Sequence, residues 1–194
     1  FAWVGFPGQP NDREMQVQMP TGEWRILVNI IVLVKQVPDT EAVIKVSGDK
    51  VNEAGIPKWI ISPYDEHALE EGIRIKEKTG GTVTAISVGG DKIVEALRTA
   101  YALGVDNAIH IKADDYDNFD GLTIAKGLHA VIKDLEYDAI LAGRQAIDSN
   151  SGQVPFILAE LLGIPQVMWA TELTLDGGSF KAKREIEGGT ANVE

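Results

Sequence analysis

The chain has 194 residues, with 18 basic and 29 acidic side chains, a formal net charge of −11 and no cysteine. This length, with 44% hydrophobic and 24% charged residues, supports one ordinary hydrophobic core and excludes a disordered or fibrous protein. The absence of cysteine excludes disulfide frameworks, thiolate zinc sites and cysteine-ligated clusters. The negative charge disfavours nonspecific binding to nucleic acid or anionic membranes, and the three dispersed histidines predict no metal centre.

Residues 1–27 differ from the rest of the chain, because prolines and glycines interrupt them and neither strand nor helix periodicity persists. We predict that they form a non-native or disordered extension outside the fold, and that a domain of 28–194 follows. A GTG start codon at Val28, translated as valine, would explain the boundary. The longest apolar run, 27–34, is shorter than the ~20 residues of a spanning helix, and no signal peptide is recognisable. We therefore expect a cytoplasmic protein.

From residue 29 onward, short apolar runs alternate with longer segments of helical period, which predicts an α/β fold with a doubly wound, mostly parallel sheet between two helix layers. Near-continuous apolar runs are typical of strands that are covered on both faces. The predicted strands are 30–34, 82–88, 107–111 and 139–142, with a further extended stretch after Pro165. The predicted helices are 64–79, 91–103, 120–136 and 153–162.

The ends of the first helix are clearly signalled. Pro63 suits its first turn, Ser62 is expected to cap it, and Gly80 should end it. Two hairpins are predicted, at 43–52 and at 171–186 with a turn at 176–178. Because the sequence stops just after the second hairpin, we expect the domain to be truncated at its C-terminus.

The segment 139–153 is the most informative part of the sequence, since it runs from a strand through a loop of small polar residues to a helix start. The carboxyl edge of a parallel sheet is where nucleotides bind, and a helix N-terminus presents unpaired N–H groups to phosphate. Gln153 can donate from its amide and Arg144 can neutralise charge, whereas Asp148 suits a ribose hydroxyl or a capping role. A merely well-capped turn is an equally good interpretation of the composition alone.

Three other positions are weaker candidates. The segment 62–65 either borders the same crevice or simply starts a helix, and Lys35 points into the crevice or into solvent. The segment 87–92 resembles the loop of ATP pyrophosphatases, but Lys92 stands where that loop has serine, which favours a tight turn. His110 is expected to be a hydrogen-bonded core histidine.

Four ordered motifs together resemble the electron transfer flavoprotein β subunit family, over residues 28–194. They are Val34-Lys-Gln-Val-Pro-Asp-Thr40, Ser62-Pro-Tyr-Asp-Glu-His-Ala-Leu-Glu70, Leu97-Arg-Thr-Ala-Tyr-Ala-Leu-Gly104 and Gly143-Arg-Gln-Ala-Ile-Asp148 with Gln153. The resemblance implies an adenine-nucleotide α-hydrolase-like fold and an electron carrier without bond-making chemistry of its own. It further implies a bound AMP, or a second FAD in electron-bifurcating members, and this sequence leaves the two open.

The resemblance also implies partners: a flavin-carrying α subunit in a heterodimer, acyl-CoA or other dehydrogenases, and a quinone oxidoreductase or another acceptor. By matched position, the residues that would line the adenylate are Leu33, Ser62, Pro63, Tyr64, Asp65, Val88, Gly143, Arg144, Gln145, Ala146, Ile147, Asp148, Ser149, Asn150, Ser151, Gly152, Gln153 and Val154.

The sequence departs from the family pattern in three ways. Ser62 replaces the usual asparagine, Pro155 stands where glycine is usual, and the family's C-terminal arm, which recognises dehydrogenases, would lie beyond Glu194. A competing interpretation is a stand-alone adenine-nucleotide sensor of the universal-stress type, although the glycine spacing of that family is missing after Gly143.

Overall fold

The computed structural model describes residues 2–5, 16–18, 24–176 and 179–194. The helices are α1 (Pro63–Thr79), α2 (Ile93–Leu103), α3 (Gly121–Ile132) and α4 (Val154–Leu162), with short 3-10 helices at Glu53–Gly55 and Tyr116–Asn118. The strands are β1 (Ala2–Gly5), β2 (Gln16–Gln18), β3 (Trp24–Ile26), β4 (Ile30–Leu33), β5 (Gln36–Pro38), β6 (Val46–Ser47), β7 (Lys50–Val51), β8 (Trp59–Ile61), β9 (Val83–Gly89), β10 (Asn107–Lys112), β11 (Ala139–Gly143), β12 (Gln166–Asp176), β13 (Ser179–Ile186) and β14 (Gly189–Val193).

An eight-stranded sheet in the order β10-β9-β4-β11-β1-β12-β13-β14 forms the centre of the domain. Strands β10, β9, β4 and β11 are parallel to one another, and β1, β12, β13 and β14 extend the sheet through antiparallel pairs. The predicted mostly parallel sheet is confirmed. The predicted hairpin at 43–52 is present as β6 and β7, and β12 pairs with β13 as predicted, while residues 177–178 of its turn lie outside the described residues.

Alternate residues of each central strand face different helix layers, since side chains point to opposite faces along a strand. Ile30 and Val32 of β4 pack with α1 and α2, whereas Ile31 and Leu33 pack with α3 and α4. Both faces of β4 are therefore buried, which explains why its sequence is apolar throughout. The three-layer arrangement that the sequence predicts is confirmed.

The helix boundaries agree with the sequence signals to within a few residues. Proline stands at the first turn of α1, and Gly80 ends that helix with a left-handed φ of +83°. The helix predicted at 91–103 starts at Ile93, and the one predicted at 120–136 ends at Ile132. Within the described ranges, every helix falls short of the length and apolar character that a membrane-spanning helix needs.

Part of the N-terminal segment contributes to the sheet, contrary to the expectation that 1–27 lie outside the fold. Strand β1 pairs antiparallel with β11 on one side and with β12 on the other. The physical reason is that β11 and β12 would otherwise each have an edge without a hydrogen-bonding partner, and a short extended segment can pair with both of them. Whether 1–27 are native stays a prediction.

Candidate functional site

A cavity of about 540 Å³ opens at the carboxyl ends of β4, β9 and β11, on the α3–α4 side of the sheet. Its floor is apolar, with Leu33, Ile86 and Val88 from the strands and Ile124 and Leu128 from α3. Its polar rim comes from the segment 143–155 that joins β11 to α4. The remaining lining residues are Val34, Lys35, Asp65, Tyr116, Phe119, Asp120, Gly121, Ala142, Gly143, Gln145, Ala146, Asp148, Ser149, Ser151, Gly152, Gln153, Val154 and Pro155.

The topology of the sheet explains why a crevice forms here. The chain leaves β4 and returns through α1 to β9 on one side, whereas α3 leads to β11 on the other side of β4. Because α1, which follows β4, and α4, which follows β11, lie on opposite faces of the sheet, the loops that leave these two neighbouring strands diverge from each other. Ligands of open α/β sheets bind at such a switch point.

The loop 143–153 leaves backbone groups open for a ligand. Its turn is held by the Asn150 N–H, which donates to the Ala146 carbonyl at 2.9 Å, and Gly152 adopts a left-handed φ of +58°. Among the described residues, none accepts a hydrogen bond from the backbone N–H groups of Ser151, Gly152 or Gln153. These donors lie at the start of α4, where a helix favours an anion.

Two helix N-termini meet beside Gln153. This residue precedes α4 without capping it through its side chain, and its Oε1 lies 3.4 Å from where a Cβ on Gly121 would stand. Gly121 begins α3, whose cap is Asp120: the Asp120 carboxylate accepts the Thr123 N–H at 2.8 Å. Hydrogen bonds from Thr123 lower the pKa of Asp120, so this carboxylate stays ionised. The amide of Gln153 therefore lies between two helix ends that both favour negative charge.

Asp65 joins the ends of two neighbouring strands from below the cavity. Its Oδ2 accepts the backbone N–H of Lys35 at 2.9 Å, and its Oδ1 accepts the N–H of Gly143 at 2.9 Å. Its side chain is buried, and this desolvation raises the pKa of Asp65 to about 7 in spite of the two N–H donors. Gly143 permits this approach, because a Cβ there would stand only 2.7 Å from the Tyr64 carbonyl carbon.

Lys35 and Asp148 form an ion pair at the cavity rim. The ammonium of Lys35 lies 2.8 Å and 2.7 Å from the two carboxylate oxygens of Asp148, and both side chains are partly exposed, at 26% and 31%. Within the described residues Asp148 caps no helix, because its hydrogen bonds come from the Lys35 ammonium and the cap position of α4 is taken by Gln153, whereas the ribose role stays a prediction. The sequence separation of 113 residues explains why no local pattern could indicate this.

Most of the predicted adenylate residues line the cavity, but six do not: Ser62, Pro63, Tyr64, Arg144, Ile147 and Asn150. Arg144 lies over the Trp169 ring, 5.1 Å from its centroid, and Asn150 accepts a hydrogen bond from Gln145 at 3.0 Å. Ser62 stands at the expected cap position of α1, yet its side chain caps nothing; its hydroxyl is buried without a partner among the described residues. The predicted N-cap position of Ser62 is therefore confirmed, whereas its hydroxyl makes no capping hydrogen bond.

Sequence reasoning missed one wall of the cavity, formed by Tyr116 and Phe119. Tyr116 begins the short 3-10 helix after β10 and Phe119 directly follows it. Both stand in an otherwise polar, mostly acidic segment, 114–120, in which no local pattern indicates that they face a ligand. The available signal was positional, since every segment that follows a parallel strand begins at the same edge of the sheet.

The remaining candidates have structural partners. Lys92 pairs with Glu53 at 2.7 Å and lies over the Trp59 ring, and Ser87 donates to the Val34 carbonyl, so the turn at 87–92 is structural as expected. His110 contacts the Gly89 carbonyl through Nε2 at 2.8 Å, so the predicted hydrogen bond is present, but the residue is only half-buried on the edge strand β10 and is not part of the core. In the part of the chain that the structure describes, no group of three or more acidic or histidine side chains is placed to hold a metal ion.

Comparisons with known proteins identify relatives over most of the chain. The model of the electron transfer flavoprotein domain family matches residues 51–194. The chain is 45% identical over 168 residues to the electron transfer flavoprotein subunit beta of Bacillus subtilis, covering 86% of this chain and 65% of that protein. It is 41% identical to the subunits of the same name from Thermoanaerobacterium thermosaccharolyticum and Clostridium acetobutylicum, covering 86% of this chain and 64% of each relative. The chain thus spans slightly less than two thirds of the length of these relatives and belongs to the electron transfer flavoprotein family, as a member similar to its β subunits.

Proposed function

We propose that this chain is the nucleotide-binding part of the β subunit of a heterodimeric electron transfer flavoprotein. It holds an AMP, or the adenylate half of a second FAD, in the cavity beside the loop 143–153. The observation that carries the proposal is the position of this cavity. It lies at the switch point of the sheet, and its rim is formed by a loop with backbone N–H groups that no described residue pairs.

The residues present fit an adenylate in size and chemistry. The apolar floor of Leu33, Val88 and Ile124 suits the face of an adenine ring. The unpaired N–H groups of the loop and the Gln153 amide suit a phosphate group, which needs donors. Because Asp148 already neutralises Lys35, the backbone donors rather than a lysine would provide the main phosphate contacts.

The role in electron transfer follows from membership of the family. Flavin bound in the complex supplies the redox chemistry, and the residues of this chain bind and orient the nucleotide. We propose that an α subunit is the direct partner, and that the complex carries electrons from acyl-CoA or other dehydrogenases to a quinone oxidoreductase or another acceptor. We also propose a cytoplasmic location.

A cavity-filling variant tests nucleotide binding. Ile124→Trp places a large ring in the cavity, whereas Leu122→Trp adds the same ring to the exposed face of α3, where Leu122 is 42% exposed. The full-length β chain is produced with its α partner, and the adenine nucleotide in the denatured complex is measured by chromatography. We expect Ile124→Trp to lose the nucleotide of the β chain and Leu122→Trp to keep it; equal nucleotide content in the two complexes would contradict the proposal.

A further inference from the structure

Apart from Arg144, which lies over the Trp169 ring, the loop 143–153 is attached to the rest of the domain by hydrogen bonds at two points. At its start, the backbone N–H of Gly143 donates to Asp65, a residue of α1 that lies 78 positions earlier in the chain. Near its middle, Asp148 accepts two hydrogen bonds from the ammonium of Lys35. The hydrogen bond within the loop, from Asn150 to Ala146, only closes its turn. These two attachments therefore fix the position of the loop relative to the strands.

Both attachments depend on Asp65. The second oxygen of its carboxylate accepts the backbone N–H of Lys35, the residue whose side chain holds Asp148. One buried carboxylate thus fixes the start of the loop directly and orients the lysine that fixes its middle. The charged groups that act on Asp65 are Lys35, from the end of β4, and Asp148, from the loop itself.

We propose that Asp65 is the positioning residue of the adenylate loop, which acts through Lys35 and Gly143 to hold the backbone donors of the loop in their binding geometry. The inference rests on the proposed function, because it presumes that this loop binds the nucleotide. Asp65 borders the cavity, but both of its carboxylate oxygens accept backbone N–H groups, so the role assigned to it is to hold the backbone of its neighbours.

The protonation state of Asp65 separates this role from a merely structural one. An ionised carboxylate accepts both N–H groups, whereas protonation turns one oxygen into a donor that faces another donor. Protonation also removes a buried charge, so it stabilises the fold while it loosens the loop. A positioning role therefore predicts that nucleotide release becomes faster as the pH falls from 8 to 6. Over the same range, protonation of Asp65 does not lower the free energy of unfolding.

A matched control is available at the opposite, N-terminal ends of the same two strands, β4 and β11. Asp138, just before β11, accepts the backbone N–H of Asn29, just before β4, at 2.6 Å. Asp138→Asn therefore perturbs the same pair of strands with the same chemical change, far from the loop. Asp65→Asn keeps one acceptor oxygen and opposes the other N–H with an amide donor.

The experiment measures the rate at which AMP, or FAD if that is what co-purifies, leaves the complex of the full-length β chain and its partner. We expect Asp65→Asn to release it about tenfold faster or more at pH 8, since one hydrogen bond to a charged group is lost. Asp138→Asn should release it at the wild-type rate. The wild-type rate should rise as the pH falls from 8 to 6, and the rate of Asp65→Asn should change less over that range. Titration of the nucleotide phosphate is common to both proteins and cancels in the comparison.

The outcomes distinguish the inference from the function on which it rests. Equal release rates for Asp65→Asn and Asp138→Asn would overturn the role of Asp65. In that case, nucleotide bound to the wild-type complex would still support the proposed function. A wild-type complex without any nucleotide on the β chain would overturn the proposed function itself. If Asp65→Asn does not fold, Asp65→Ser takes its place in the same comparison, and release at the rate of Asp138→Asn with an unchanged pH profile would overturn the inference.

Discussion

Gly143→Ala tests the close packing of α1 against the end of β11. A Cβ at this position would stand 2.7 Å from the Tyr64 carbonyl carbon and 2.8 Å from the Asp65 nitrogen. These are backbone atoms, so the start of α1 must retreat by about 0.7 Å to reach an ordinary contact distance. That movement lengthens the 2.9 Å hydrogen bond between Gly143 and Asp65 beyond its useful range.

The expected cost combines two effects. Overpacking in a well-packed region costs about 1–3 kcal/mol, and the weakened hydrogen bond to a carboxylate adds to that cost. We therefore expect Gly143→Ala to lower the free energy of unfolding by about 3 kcal/mol. The matched control is Gly127→Ala within α3, where a Cβ meets nothing within 4 Å; it should raise the free energy of unfolding by about 0.5–1 kcal/mol through helix propensity.

The assay is urea unfolding of the complex, followed by tryptophan fluorescence. With a denaturant slope of about 2 kcal/mol per molar urea, the Gly143→Ala midpoint should fall by about 1.5 M, while that of Gly127→Ala should not fall. A Gly143→Ala midpoint equal to that of the wild type would show that α1 does not approach β11 as closely as the structure indicates.

Four further predictions concern single side chains. Gln153→Ala should reduce nucleotide retention by the equivalent of about 1–3 kcal/mol, as measured by dialysis; unchanged retention would remove Gln153 from the site. Asp148→Asn should change nucleotide affinity by less than about 1 kcal/mol in calorimetry, because the amide oxygen still accepts a hydrogen bond from the Lys35 ammonium and keeps the loop attached, and loss of folding would contradict this. Ser62→Ala should leave thermal stability unchanged or slightly raised, since the buried hydroxyl has no partner among the described residues; a loss above about 1 kcal/mol would reveal one. Because the folded pKa of Asp65 is raised to about 7, the unfolding free energy of the wild type relative to Asp65→Asn should fall by about 4 kcal/mol as the pH rises from 4 to 8, and parallel pH profiles would refute the raised pKa.

The elements that the sequence predicted well are those whose signals are local. The apolar run at β4 is buried on both faces, and Pro63 and Gly80 mark the two ends of α1. The loop 143–153 was recognisable because small polar residues follow a strand and precede a helix. In each case, neighbouring residues carry the whole signal.

Features that depend on distant partners were not predictable in this way. Asp148 meets Lys35 across 113 positions, and Asp65 meets Gly143 across 78. The pairing of β1 between β11 and β12 likewise depends on which strand edges the rest of the fold leaves available. Ser62 shows that a local signal can also mislead. Serine is a common capping residue, yet the Ser62 hydroxyl makes no capping hydrogen bond with α1.

The most direct test of the central claim is the nucleotide content of the wild-type complex. The full-length β chain is purified with its α partner, the complex is denatured, and released AMP and FAD are quantified by chromatography. Because the α subunit is expected to carry one FAD, we predict two adenine nucleotides per heterodimer, either one FAD with one AMP or two FAD. A single FAD with no second nucleotide would contradict the assignment of the cavity as an adenylate site.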